Sequence, residues 1–353
     1  MSHKAALESV VYDTTSKKPY RIDPSNKLDG ARKSLRRATE GDLGRRATKL
    51  NHAFQMDQTG SNRLKIELWG VRGSTPTAEE NKLRVGGNTP CVLLHYNLEP
   101  IVIIDGGTGL RRLGLQLEPC DQSRPVKASI LFSHFHWDHI QGLPFFSPMY
   151  SQHCALEFFS TLRPGHLKRV LDDQMKQPYF PLPLSAARSH REYNQVQPSG
   201  CEIGSLRIRP VRLNHPGGAS GYRIDSPAGS VIYVSDHEHG VEKIDTCIKR
   251  EAAGADLLIY DAQYTPAEYP RFKGWGHSTW LEGTRLANRA RVGQLLLFHH
   301  SPSRNDQELP SILVEARSEF AATDVARENQ AIFLSKPQNT SEGHLTGQIY
   351  SGL

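Results

Sequence analysis

The residues of this chain best able to do chemistry crowd into one short stretch. In "SHFHWDHIQG" (133–142), His134, His136, Asp138 and His139 follow directly on the apolar run "ASILF". Packing four such groups beside a core with no cation would strand buried polar atoms, at a cost of about 1–3 kcal/mol each. In extended backbone, residues i and i+2 project to the same side, so His134 and His136 can grip one ion together. Asp138 and His139 lie where the chain turns into a short helix through "IQGLP", and can face a second ion. Two ions about 3.5–4 Å apart clamp both the attacking and the leaving oxygen of an in-line displacement. Ions that close repel, so a carboxylate is wanted between them, and Asp236 after "VIYVS" is the natural bridge. His215 after "RPVRLN" and His299 after "QLLLF" would complete the two sets, with His300 the alternative to His299. Two divalent ions are therefore expected. An imidazole and carboxylate set suits zinc, with manganese or iron as alternatives.

Something rigid must hold these side chains. From about residue 63, short β-branched or aromatic runs bounded by Gly, Pro, Asn or Asp recur: "LKIELWG", "CVLLHY", "IVIIDGG", "ASILFSH", "LEFFS", "LRIRPVRLNH", "GYRID", "SVIYVSD", "DLLIYDA" and "QLLLFHH". Such runs read as strands ending in turns. Helical periodicity appears in "GHLKRVLDDQM", "GVEKIDTCIKREAAG", "STWLEGTRLANRA" and "SILVEARSEFAATDVA". Strands come mostly first, with helices between and after them, which predicts a mixed sandwich and not a strict βαβ array. Strand after strand ends in a residue able to bind a metal or a proton: Asp105, His134, His215, Asp236, Asp261 and His299. The Pro-rich segment 177–200 reads as a long surface loop, either a connector or a lid over the substrate.

Charge divides the chain. Residues 1–60 hold 12 Lys and Arg against 7 Asp and Glu, so they carry most of the net +6. They are expected to form a basic extension, loosely ordered or docked, on a hydrolase domain spanning 61–353. The extension is a candidate arm for nucleic acid, although few of its residues are aromatic and able to stack on bases. No apolar run approaches the roughly 20 residues that span a bilayer, and the start of the chain does not read as a signal peptide, so no membrane partner is expected. Five scattered cysteines without a C-x-x-C pair suit a reducing compartment. The cytoplasm is the expected location.

The segment 134–139, "HFHWDH", and its surroundings resemble the metallo-β-lactamase superfamily over about residues 64–335. In detail they are similar to its tRNase Z and cyclic-nucleotide phosphodiesterase branch. "LWGVRGSTPTAEENKLRVGGNTPCVLL" resembles the opening strand and Gly-rich loop of that branch, and "IVIIDGGTGLRRLG" its second landmark. His215 sits in "NHPGGASGYRI", without the G-H-T/S-x-G setting of glyoxalases and true lactamases, and "YVSDHEHG" has Asp236 where zinc-cysteine lactamases show Cys. "GWGHST" resembles the H-S-T segment of the family, whose histidine, here His277, donates a proton. "YDAQYT" puts Asp261 where tRNase Z enzymes carry the Glu of an H-E-A-T segment. The resemblance implies an αββα sandwich with metals where its halves meet, and it is compatible with a homodimer.

The function expected from these residues is a dinuclear phosphodiesterase. A hydroxide between the ions, oriented by Asp138, would attack phosphorus. His277, held by Asp261, would protonate the departing oxygen. Ser301, Arg304 and Arg72 are candidates to hold a phosphate oxygen. No compact Gly/Pro-rich arm like the one with which tRNase Z enzymes grip tRNA is present, so a small cyclic nucleotide is the first expectation for the substrate. An RNA 3′-processing endonuclease is the alternative. An inactive nucleotide- or RNA-binding protein is a third reading, and the full ligand set weighs against it.

Overall fold

Period-two alternation builds the first strand. In β1 (Arg63–Gly70), Leu64, Ile66 and Leu68 are fully buried, while Lys65 and Glu67 turn the other way and pair at 2.9 Å. The structure, a computed structural model, describes residues 62–97, 101–118, 121, 123, 125–336 and 348–350. The expected basic extension 1–60 lies outside them. Beside β1 in the first sheet lie β2 (Cys91–Tyr96), β3 (Ile101–Ile104), β4 (Val126–Leu131), β5 (Cys154–Ser160) and β6 (His190–Gln195). In the second sheet β7 (Cys201–Ile203), β8 (Leu206–Leu213), β9 (Ala219–Ser226), β10 (Gly229–Val234), β11 (Leu257–Asp261), β12 (Gln294–Phe298) and β13 (Thr323–Val325) lie in chain order. The chain then returns to the first sheet, where β14 (Ala331–Ser335) pairs with β1 and β15 (Gln348–Tyr350) with β14. One apolar core lies between the sheets, with Ile66, Leu94 and Val102 from one and Ile208, Ile232 and Leu296 from the other.

Helices cover the outer faces. α1 (Gly109–Gln116) packs on β1, and α2 (Trp137–Ile140) is a single turn inside the histidine-rich motif. α3 (Pro164–Gln174) packs on β5 and β6, and α4 (Glu242–Ala252) on β8. α5 (Trp280–Ala290) lies on β11 and β12, with α6 (Leu309–Glu319) against it. The whole is the expected αββα sandwich.

What matters for the site is strand direction. β3 to β6 run parallel, and so do β10 to β13. Their registers set Ile104 beside Leu131, Val234 beside Tyr260, and Asp261 beside Phe298. The residues that follow these carboxyl ends therefore emerge together at one edge, where parallel sheets place their ligands.

Two expectations change. Segment 177–200 is not one long loop, because His190–Gln195 forms edge strand β6 along β5. Its sequence, "HREYNQ", has no apolar face because an edge strand half covered by one helix needs little. The last predicted helix stops at Glu319, and Thr323–Val325 pairs with β12 instead. Sheet pairing here outweighs the weak helical preference of "AATDV".

A polar bond crosses the apolar core beside the motif. Tyr222 of β9, fully buried, donates its hydroxyl to the Phe132 carbonyl at 2.6 Å, just past the end of β4. Tyr222→Phe should leave that carbonyl unpaired and lower stability by about 1–3 kcal/mol, read from the urea midpoint at constant m-value. An unchanged midpoint would show that the bond contributes nothing to joining the sheets.

Candidate metal centre

Seven side chains converge at the shared edge in two groups. His134, His136 and His215 form one, and Asp138, His139, Asp236 and His299 the other, with candidate donor atoms in each within 4.8 Å of one another. In the first, His136 Nδ1 and His215 Nε2 are 3.0 Å apart. In the second, Asp138 Oδ2 is 3.3 Å from the Nε2 atoms of both His139 and His299. Asp236 stands between the groups. Its Oδ1 lies 3.8 Å from His134 Nε2 and 3.7 Å from His215 Nε2, while Oδ2 lies 3.1 Å from His139 Nε2 and 3.3 Å from His299 Nε2.

Each group is aimed by a second contact. His139 donates Nδ1–H to Asp105 Oδ2 at 2.8 Å, which leaves Nε2 facing the carboxylates. Asp105 also accepts from Ser133 N, Ser133 Oγ and Tyr233 Oη, so residues of both sheets fix it. His215 donates Nδ1–H to the Gly276 carbonyl at 2.8 Å. Gly276 has φ of 87°, and a Cβ there would stand 2.3 Å from His215 Nδ1, so only glycine allows this approach. Asp138 Oδ2 accepts the Ser74 amide at 2.8 Å. The α2 turn is held by backbone against backbone: Gly106 N donates to His139 O and Gly142 N to Gly106 O. A Cβ on Gly142 would reach 2.0 Å from Gly107 O.

Two carboxylates and two imidazoles are in the ionisation state a cation needs. Burial opposes ionisation of Asp138, yet the charge and hydrogen bond of His139 and the hydrogen bond of His299 hold it well below the usual carboxylate range. Burial likewise opposes Asp236, and His299, His139 and His134 outweigh it. Burial, with His139 close by, pushes His134 far down, and burial lowers His215, so both imidazoles are neutral with lone pairs to give. For His139 burial is outweighed by Asp236, Asp138 and Asp105, which raise it strongly. A cation between these carboxylates would take the place of that proton. His134 Nε2 is buried and has no hydrogen-bond partner, which costs free energy unless something binds there. The residues thus fit two divalent ions, His134, His136 and His215 toward one, Asp138, His139 and His299 toward the other, with Asp236 facing both.

His277 and Asp261 lie at the same place. Asp261 Oδ2 accepts His277 Nδ1–H at 2.8 Å, and the imidazole ring lies 5.0 Å from His299 and 5.3 Å from His215. Burial lowers the pKa of His277, but Asp261, helped by Asp236 and Asp138, raises it to about 9. His300, by contrast, points into the core and bonds Ala326 O, with burial and the nearby Arg72 pushing it down to about 3. His237 bonds Asp245, and His239 bonds Ser278 Oγ.

The three candidate phosphate holders are not brought to the centre. Arg72 is fully buried, its guanidinium spent on the carbonyls of Gly86, Ser301, Arg304 and Lys82 and on Asp306. Arg304 is taken up by Glu268 and Glu308. Ser301 gives its carbonyl to Arg72 and accepts Ser303 N at its hydroxyl. In "GVRGST" the neighbour that reaches the site is Ser74, through its amide. Glu238 also escaped the sequence reading. Its carboxylate accepts from Gly274 N, Gly276 N and Tyr269 Oη, and so braces the loop whose carbonyl aims His215. A backbone amide leaves no trace in sequence, but an acid between two strand-end histidines in "SDHEHG" was a signal.

The family model described as "Beta-lactamase superfamily domain" matches residues 101–300, more than half of the chain. The chain belongs to the metallo-β-lactamase superfamily. Among curated relatives, a protein named Ribonuclease Z from Exiguobacterium sp. is 35% identical over 74% of this chain and 97% of its own length. Another of that name, from Thermoplasma acidophilum, is 26% identical over 74% of this chain and 94% of its own length. The crystal structure of human tRNase Z, short form, is 17% identical, covers 76% of this chain and 98% of that chain, and superposes with a TM-score of 0.54, which speaks to fold. These relatives place the chain in the tRNase Z branch and correct the expectation of a small cyclic nucleotide. The missing arm was a poor discriminator, because the match runs through nearly the whole length of proteins named for cutting RNA.

Elemental analysis should find about two divalent ions per purified chain. Asp236→Ala removes the one carboxylate facing both groups and should lower occupancy of both. Asp105→Asn leaves every direct donor in place and should weaken metal affinity about 10–100-fold by losing hold of His139. Full occupancy in Asp236→Ala would refute this assignment.

Proposed function

We propose that the protein is an RNA-cleaving phosphodiesterase of the ribonuclease Z type, acting on a precursor RNA. The observation that carries this reading is the match over 94% and 97% of the lengths of two proteins bearing that name. Divalent ions in the two sites, zinc by the chemistry of the donors, would supply positive charge to the phosphodiester and acidify water near neutral pH.

The chain's own groups do the rest. Asp138, held by the Ser74 amide, presents a carboxylate oxygen that can accept a hydrogen bond from the attacking water and orient it. His277 is the acid. Asp261 accepts its Nδ1–H and stabilises the imidazolium, whose Nε2–H is then the proton to give to the departing ribose oxygen. Asp261 is itself fixed by the amides of Asp236 and Gln263, so the acid is oriented from the same backbone that carries the bridging carboxylate. The basic extension, as a separate part of the chain, would add sequence-independent phosphate contacts.

Metal-loaded protein should cleave precursor tRNA, and absence of turnover on any RNA would defeat the proposal. His277→Ala should keep both ions yet lose roughly 10²–10⁴ in turnover on RNA. It should lose far less on bis-p-nitrophenyl phosphate, whose leaving group needs no proton; equal losses, or loss of an ion, would remove His277 from the acid role. Deleting residues 1–60 should weaken RNA binding and flatten the plot of log K against log salt. An unchanged slope would mean that the extension does not touch phosphate.

A further inference from the structure

Two tryptophans that neighbour residues of the candidate centre in the chain stand in solvent. Trp137 is 75% exposed and lies between His136 and Asp138, and Trp275 is 63% exposed and lies two residues before His277. A short contact path joins them: His136 touches His215, and His215 bonds the carbonyl of Gly276, the residue after Trp275. The backbone that carries each indole is thus within one residue of a group in that contact path. Leaving large indoles in water costs free energy unless something covers them.

Trp275 is also held in place. Glu238 grips the amides on either side of it, Gly274 N at 2.7 Å and Gly276 N at 2.9 Å. Behind it an aromatic series runs inward. Phe272 meets Trp275 at 5.5 Å, Tyr264 stacks on Phe272 at 4.6 Å and 5°, and Tyr264 meets His277 edge-on at 6.1 Å. A rigid aromatic surface loses little entropy on binding. The loop reads "RFKGW" (271–275), and Arg271 and Lys273 are exposed, with no ion-pair partner among the described residues. Cations alternating with aromatics suit a strand that offers phosphates and unpaired bases in turn.

We infer that Trp275 and Trp137 form a stacking clamp for unpaired nucleotides on either side of the scissile phosphate, with Arg271 and Lys273 contacting the neighbouring phosphates. This rests on the RNA-cleaving reading and adds to it which residues would hold the unpaired bases. A paired helix keeps its bases stacked inward and cannot offer them to an indole.

Binding is measured on the full metal-loaded chain carrying His277→Ala, so that RNA stays whole, with a single-stranded oligoribonucleotide and a blunt RNA duplex of equal length. Trp275→Leu and Trp137→Leu should each weaken single-strand binding between about fivefold and a hundredfold while leaving the duplex within about twofold. Trp275→Phe, which keeps an aromatic face, should recover most of the loss. Metal content, unchanged in each variant, is the folding control. Arg271→Gln with Lys273→Gln should lower the salt slope for the single strand by about two contacts. If the leucine variants bind the single strand like their parent, or lose duplex binding equally, the clamp is refuted. Cleavage of precursor tRNA by the wild-type chain, run in parallel, separates that result from a failure of the RNA reading itself.

Discussion

The fully buried carboxylate of Asp105 is the joint on which the site turns. It accepts from Ser133 N, Ser133 Oγ and His139 Nδ1 on the first-sheet side and from Tyr233 Oη on the second. Three of these donors meet on Oδ2 and one on Oδ1, so the carboxylate is held from several directions at once. Through His139 the same contact decides which nitrogen faces Asp138 and Asp236. A buried charge of this kind is tolerated only when its partners are all present, so the two sheets cannot shift past one another without losing it.

The edge carries backbone strain as well. Asp105, Asp236 and His299 all sit in the left-handed region, with φ of 61°, 61° and 59°, although none is glycine. Each such residue costs on the order of 1 kcal/mol or more, and all three lie within two residues of the end of a parallel strand. The conformation turns the chain sharply as it leaves the sheet and throws the side chain back across the edge. The apolar strands behind, such as β10 with every residue buried, supply the stability that this geometry spends.

Glu238 gives the rim a physical link to the centre. By holding Gly274 and Gly276 it fixes a loop that presents Trp275 outward and a carbonyl to His215 inward. Asp261 does the same for His277, taking its imidazole and the amide of Asp236 on one oxygen. Groups expected to touch substrate and groups expected to touch metal thus share supports one residue apart.

The groups able to form a metal centre were legible in the sequence because their signal is local. A His or Asp ending an apolar run is conspicuous by type, and the i, i+2 spacing of His134 and His136 follows from extended backbone alone. The longer strands and four helices announced themselves the same way, by period. Illegible were the features that depend on who is adjacent in space. Arg72 and Arg304 look like phosphate ligands by type, but folding surrounds them with carbonyls and carboxylates. Ser74 acts through an amide that every residue possesses, and β6 has no apolar face to betray it. The substrate lay beyond the motif too, since metal-binding donors are indifferent to what surrounds the bond that is cut. By itself, then, the sequence determined a mixed sandwich of strands and helices and the donor types, because periodicity and side-chain chemistry are written residue by residue; the αββα arrangement was what the family resemblance implied. Only the tertiary structure decided that His299 and not His300 faces the other candidate ligands, and that Asp105 joins the sheets. Those contacts bring together residues far apart in the chain, and nothing local specifies them.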